Sequence, residues 1–374
     1  MSRVPLRPSD KPGKSRSIKV LDLFAGAGGL SAGLRNASAR YETVRAVELD
    51  PAAAASYEAN HGEGLVYQGA IQSWLEEELV PEVDLVVGGP PCQGFSTLGK
   101  QDVEDERNDL WRHYAETVRR ANPRYFIVEN VAAFAKSSQF TDFIHETGPN
   151  GVLSEYKFKY QVLNAAEYGS PQSRKRTVIL GWRRDQVEPN FPIPSHGAKA
   201  GADLVTVRQT FRDHGVTPNP SLTDLPAPGH RMRQRSSIQG PFALRDLHLT
   251  RNYSQLSLDR FECIPVGGNR FDIKEDLLPP CWRKHTSGSG DVMGRLHLDK
   301  PAVTIRTEFF KPEKGRYLHP TENRAITHLE AGLLQGFPSS YMFFGSKTSI
   351  ARQIGNAVPL QLGRALAVEM LHHL

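Results

Sequence analysis

The sequence predicts an α/β protein: a doubly wound, mostly parallel sheet carrying a smaller, irregular second domain. Three observations lead there. Ile18 to Phe24 reads as a buried strand that runs into the glycine turn Ala25-Gly26-Ala27-Gly28-Gly29 and then into a helix with Leu30, Gly33, Leu34 and Ala37 on its inner side. Val83, Leu85, Val86 and Val87 read as a second buried strand, stopped by Gly88-Gly89-Pro90-Pro91 just before Cys92. From about residue 183 to 301 the regular periodicity fades among prolines, glycines, histidines and arginines.

Each element has a local cause. Thr43 to Val47 forms the next strand and ends at Glu48; Asp50-Pro51 starts the following helix, because aspartate caps and proline suits the first helical position. The acidic Glu48 lies about 20 residues beyond the glycine turn, where doubly wound sheets hold ribose hydroxyls. Ser31 stands where a dinucleotide fingerprint would have its third glycine, which argues against a pyrophosphate ligand and against a nicotinamide dehydrogenase. Leu110 to Ala121 is a helix and Tyr125 to Val128 a strand, with Glu129-Asn130-Val131 placed at its end. Gln161 to Leu163 and Thr177 to Leu180 are further strands bracketing a loop from Tyr168 to Arg176, whose Arg174, Lys175 and Arg176 suit phosphates or carboxylates if exposed. Toward the end come a helix around Glu330 to Leu334, a turn at Gly336-Phe337-Pro338, a strained turn at Gln353 to Val358 and a closing helix after Pro359.

The chain has 374 residues and a formal charge of +5, which fits a polyanionic partner without requiring one. Its three cysteines, Cys92, Cys263 and Cys281, include no Cys-x-x-Cys pair, so neither a disulfide framework nor a zinc site is expected. No apolar run is long enough to span a membrane and the basic start has no signal-peptide core, so a cytoplasmic, nucleoid-associated location is expected. Domain limits follow the composition: a disordered basic tail at 1–17, a catalytic and cofactor domain at 18–182, a recognition domain at 183–326 and a returning segment at 327–374. The polar stretch between Cys92 and Asn108 reads as a closing lid.

Taken together, Asp22-Leu23-Phe24-Ala25-Gly26-Ala27-Gly28-Gly29, Gly89-Pro90-Pro91-Cys92-Gln93-Gly94-Phe95-Ser96, Glu129-Asn130-Val131, Gln172-x-Arg174-x-Arg176, Gln335-Gly336-Phe337-Pro338 and Gln353-Ile354-Gly355-Asn356-Ala357-Val358 resemble, in this order, the motifs of bacterial-type cytosine-5 DNA methyltransferases. The resemblance implies a Rossmann-like domain that binds S-adenosylmethionine, leaves S-adenosylhomocysteine and needs no metal. It implies Phe24, Gly26, Gly28, Gly29, Glu48, Ile71, Pro90, Asn356 and Ala357 around that cofactor. Many relatives have an aspartate before the isoleucine that cradles the adenine; this chain has Gly69-Ala70-Ile71, so another residue or water takes that contact. Cys92 is implied as the nucleophile, Glu129 as the acid–base group, and Arg174 and Arg176 as their electropositive surroundings. Gln93, Ser96, Asn130, Gln172, Arg233 and Arg270 are expected to touch DNA.

Cytosine C5 is a poor nucleophile, and a thiolate adding to C6 makes it an enamine carbon; the chemistry requires a cysteine of the kind that Cys92 presents. The implied substrate is a cytosine swung out of double-stranded DNA. A cognate restriction endonuclease fits beside such an enzyme with no direct contact required, and a monomer is expected. The alternative is a tRNA cytosine-5 methyltransferase of the related eukaryotic type; Gln93-Gly94-Phe95-Ser96 favours the DNA enzymes. A catalytically silent relic would have lost Cys92 or Glu129, and both are intact.

Overall fold

The computed structural model describes residues 16–91, 110–198, 200–217, 220, 222–227, 238–284 and 287–374. Cys92, Gln93, Ser96 and Arg233, the expected lid and nearly all of the amino-terminal tail lie outside the described residues.

Seven strands form one sheet: β1 (Ile18–Leu23), β2 (Tyr41–Glu48), β3 (Val66–Gln68), β4 (Leu85–Gly88), β5 (Tyr125–Val131), β6 (Tyr156–Asn164) and β7 (Lys175–Arg183). Their order is β3-β2-β1-β4-β5-β7-β6. The first five run parallel, and β7 lies antiparallel between β5 and β6. Successive strands step outward from β1 in one direction and, starting at β4, in the other. The carboxyl ends of β1 and β4 therefore flank the point where the order reverses, which is where open α/β sheets bind ligands. Leu23 pairs with Gly88 there, and a Cβ on Gly88 would stand 2.4 Å from the Leu23 carbonyl oxygen, so only glycine lets the two strand ends approach.

Side chains alternate across the sheet and build a core on each face. On one face Leu21, Val86, Phe126, Val128 and Ile179 pack under α3 (Ile71–Glu77), α4 (Leu110–Ala121) and α5 (Ser138–Glu146). On the other, Val20, Leu85, Val87, Ile127 and Leu180 pack under α1 (Gly29–Ala37) and the closing helix. Helix α2 (Pro51–His61) starts as expected, with Asp50 accepting from the amides of Ala52 and Ala53.

The middle segment contributes the short helices α6 (Val207–Asp213), α7 (Gln255–Glu262) and α8 (Pro280–Arg283). Its residues Val207, Leu244, Leu296, Ile305 and Phe309 share one apolar core with Leu333, Phe337, Ile350 and Ile354 of the returning segment, and that core reaches Ala27 and Ala32 beside the glycine turn. The returning segment holds α9 (His328–Leu334), α10 (Lys347–Asn356) and α11 (Leu360–Met370). Helices α1 and α11 meet through glycines: a Cβ on Gly33 would lie 2.9 Å from Gly363. Close helix approach of this kind tolerates no added methyl without about 1–3 kcal/mol of strain.

Three local expectations are corrected. Glu129 and Asn130 lie inside β5, not beyond it, because their backbones pair with Val178 and Thr177 of β7. Lys175 and Arg176 likewise belong to β7, and Arg174 before them is buried, so the three cations are not one exposed row. Gln353 to Asn356 is the last turn of α10 and no strained turn; Gly355 is required by packing, since a Cβ there would stand 2.5 Å from backbone atoms of Arg306 and Thr307.

Candidate active site at the carboxyl edge of the sheet

The glycine turn after β1 is shaped by its backbone. Phe24, Gly26 and Gly28 all take positive φ (54°, 56° and 89°), and the strain of a non-glycine residue in that region, about 1–3 kcal/mol, is characteristic of ligand loops. A Cβ on Gly26 would meet no atom within 4 Å, so this part of the turn faces open space. Gly29 instead faces protein, 2.9 Å from the Val358 carbonyl oxygen at the same measure, which brings Ala357 and Asn356 to the turn.

Glu48 ends β2 beside this turn. One carboxylate oxygen accepts from the Gly26 amide at 2.8 Å and the other from the Asp50 amide at 2.8 Å. Burial pushes its carboxyl up, while those two backbone donors pull it back. Each oxygen keeps a lone pair for a hydroxyl group. Leu49, missed in the sequence reading, leaves 67 % of its surface exposed immediately after Glu48, and Ile71 is buried at the start of α3. Ala70 gives that helix no side-chain cap.

Beneath the turn lies a buried polar cluster, most of it also missed. Ser31 donates to Asp22 at 2.6 Å and lies 2.8 Å from the hydroxyl of Tyr57, so the residue that breaks the dinucleotide fingerprint holds the motif's own aspartate. Burial raises Asp22 to about 7, more than the bonds from Ser31 and Tyr57 lower it. Tyr341, from the far end of the chain, donates to the Ala27 carbonyl at 2.5 Å. His61 must then donate from Nε2 to the Tyr341 oxygen, 3.1 Å away, and its buried Nδ1 has no hydrogen-bond partner among the described residues. Burial lowers His61 to about 4, which keeps it neutral.

The second half of the site stands at the ends of β4 and β5. Asn130 donates from Nδ2 to the Pro90 carbonyl at 2.9 Å, and its Oδ1 accepts from the Val131 amide at 2.8 Å. A Cβ on Gly89 would lie 2.9 Å from the Glu129 carbonyl oxygen and 3.4 Å from Oε2. The Pro90-Pro91 loop is thus anchored on the strand that carries Glu129. Arg176 Nε stands 2.8 Å from Glu129 Oε1, both side chains nearly buried. The contact is an ion pair, and among the described residues Oε1 accepts no aligned hydrogen bond.

Over nearly the whole length, residues 18–372, the chain matches the family model for C-5 cytosine-specific DNA methylase. It belongs to that family. Among relatives, the methylase is 34% identical to Type II methyltransferase M1.HphI of Haemophilus parahaemolyticus over 372 residues, covering 95% of this chain and 87% of that one. It is 30% identical to Type II methyltransferase M.DdeI of Desulfomicrobium norvegicum, covering 94% and 88%. A solved structure of a putative DNA modification methyltransferase from an E. coli prophage superposes with a TM-score of 0.67 at 22% identity, over 96% of this chain and 99% of that chain, which supports the fold.

Membership implies S-adenosylmethionine, and the turn is compatible with it: Gly26 faces open space, Glu48 keeps spare lone pairs and Asn356 is exposed. Among the described residues no three His, Cys, Asp or Glu side chains group to hold a metal, and no helix is long and apolar enough to cross a membrane. Of the residues expected at DNA, Gln172 is fully buried with both amide ends used inside the protein. Arg174 is buried too, donating to the carbonyls of Ile305 and Gly355 at 2.9 Å each. Burial, with Arg176 nearby, pulls its guanidinium well below the ordinary arginine value. Arg270 stacks over Phe271 and Trp282, 4.8 and 5.8 Å from the ring centres, beside a hollow of about 370 Å³ in the middle segment.

Proposed function

We propose that this methylase acts on a cytosine turned out of a specific sequence in double-stranded DNA, with Cys92 forming a transient bond to C6. The observation that carries this reading is the Asn130–Pro90 hydrogen bond, which fixes the loop leading to Cys92 on the strand of Glu129. When bound along Phe24, Gly26, Glu48 and Asn356, the cofactor supplies an electrophilic methyl group. Everything else falls to the chain.

Addition of the Cys92 thiolate to C6 moves electron density toward N3 and makes C5 nucleophilic. Glu129 carries a proton to N3 and accepts from the exocyclic amino group; Arg176 stabilises the carboxylate left behind. The final steps are loss of the C5 proton to a base or water and expulsion of the Cys92 thiolate, which restore the aromatic ring. A free thiol ionises only a few per cent at neutral pH, and in this reading the nearby cation that favours the reactive form is Arg176, since Arg174 is buried against the carbonyls of Ile305 and Gly355. Extrusion of the base costs a few kcal/mol, offset by contacts made in the site.

Residues 183–326 choose the target sequence in this reading, through arginines such as Arg270 and Arg233 reading base edges. Bisulfite sequencing of plasmid DNA from cells expressing the protein tests the whole proposal. One protected cytosine in a fixed sequence context supports it; uniform conversion at every cytosine, with the protein folded and abundant, contradicts it.

A further inference from the structure

Behind the site, five hydrogen bonds among six residues close a ring. Gln335, the first residue after α9, donates from Nε2 to the Ile354 carbonyl at 2.5 Å and more weakly to that of Ala357 at 3.4 Å. Its Oε1 accepts from Gln172 Nε2 at 2.5 Å. Gln172 Oε1 in turn accepts from the Ile305 amide at 2.8 Å. The Ile305 carbonyl receives Arg174 Nη1 at 2.9 Å, and Arg174 Nη2 returns to the Gly355 carbonyl, next to Ile354 where the ring began. Gln172, Gln335, Ile305 and Ile354 are fully buried and Arg174 very nearly so.

An apolar core would hold these segments together as well as amides do, and would leave no directional demand. Buried amides behave differently. Each must keep its partner at hydrogen-bond distance, so the ring fixes the carboxyl end of α10, residue 305 and the start of β7 relative to one another far more tightly than apolar contact could. Its two ends are functional neighbours in sequence. The α10 end carries Asn356 and Ala357 beside the glycine turn, and Arg174 stands two residues before Arg176, which pairs with Glu129.

We infer that Gln335 is a positioning residue for methyl transfer: through Gln172 and Arg174 it couples the cofactor-facing end of α10 to the Arg176–Glu129 pair. The inference rests on the proposed function and concerns residues that touch neither substrate nor cofactor. Gln335→Met keeps the volume and removes the amide; Gln172→Met breaks the next bond in the same ring. Gln335→Glu can still accept from Gln172 but can donate to the Ile354 carbonyl only while its carboxyl is protonated.

The test measures kcat per folded molecule by transfer of labelled methyl from S-adenosylmethionine to plasmid DNA, with KM for the cofactor and the thermal midpoint taken in parallel. Both methionine variants should lose about 10- to 100-fold in kcat, the cost of a displacement near 1 Å, with cofactor KM altered less than about threefold. The double variant should be no slower than the slower single one, because one ring is broken either way. Gln335→Glu should lose activity as pH rises through ionisation of the new carboxyl, a profile absent from the wild type and from Gln335→Met. A kcat within about twofold of wild type in all three variants overturns the inference, as does failure of all three to fold, which would make the ring structural only. A wild-type protein that transfers no methyl group would instead defeat the proposed function.

Discussion

Asn130 and Pro90 are joined side chain to backbone at 2.9 Å across the ends of two neighbouring parallel strands. Pro90 begins the proline pair that precedes Cys92, and Asn130 follows Glu129, so one bond sets the spacing between the proposed nucleophile's loop and the proposed acid–base group. Replacing Asn130 by alanine leaves a buried carbonyl unpaired, at a cost of about 1–3 kcal/mol. We expect Asn130→Ala to lower kcat about 10- to 100-fold while S-adenosylhomocysteine binding, followed by calorimetry, changes less than about threefold. A variant weakened only in cofactor binding would show that the bond serves a different purpose.

Glu129 offers a sharper comparison. If it moves a proton, Glu129→Gln should cut methyl transfer by about 10²–10⁴-fold, because the amide cannot supply one. Arg176→Ala should fall between that variant and wild type, since the carboxylate remains but loses its cation. Single-turnover rates at saturating DNA check both. A loss below about threefold in Glu129→Gln, with the fold intact, would leave the residue as an ion-pair partner alone.

Asp22 makes a prediction about pH. Its carboxyl titrates near 7 in the folded protein against 3.8 in an exposed one, because burial outweighs the Ser31 bond. Between those values the native state holds a proton that the unfolded chain has released, so this group's contribution to stability declines as pH rises from about 4 to about 7 and is level above. His61, held down to about 4, has the opposite slope at pH 4 to 6.5, but its effect cancels between two proteins that both contain it. The stability of Asp22→Asn relative to wild type should therefore improve across pH 4 to 7, as read by urea unfolding at each pH. A difference independent of pH would mean that Asp22 titrates normally.

Much of the fold was legible in the chain, and the reasons are local. Asp50-Pro51 starts α2 where a capping aspartate and a first-turn proline place it, and α4 runs from Leu110 to Ala121 as its apolar spacing indicates. The misreadings share one cause: partners distant in sequence. Glu129 and Asn130 continue β5 alongside β7, and the glycine at 355, which suggested a turn, is there because Arg306 and Thr307 press against that point of α10. The candidate site divides in the same way. Glu48 and the glycine turn carry a recognisable spacing, whereas Tyr341 reaches Ala27 from 314 positions away and Gln335 reaches Gln172 from 163, which no spacing rule could indicate. Ser31 was visible as a departure from one fingerprint, but its bond to Asp22 was not.

The middle segment should carry the sequence preference. Exchanging residues 183–326 for the matching stretch of a relative with another target should move specificity with the segment, read again by bisulfite sequencing. Because Val207, Leu244 and Ile305 share a core with Phe337 and Ile354, the exchange will cost stability unless those contacts are kept. An active chimera that retains the original target would place recognition elsewhere.

The covalent step is tested most directly with duplex DNA carrying 5-fluorocytosine at the target position, once bisulfite sequencing has identified it. Fluorine cannot leave C5 as a cation, so the proton-loss step is blocked after methylation and the Cys92 bond persists. The mechanism predicts a protein–DNA species that survives a denaturing gel, requires S-adenosylmethionine and disappears in Cys92→Ser, with none formed on tRNA bearing the same base. A wild-type enzyme that methylates ordinary duplex at that site yet yields no such species would contradict it.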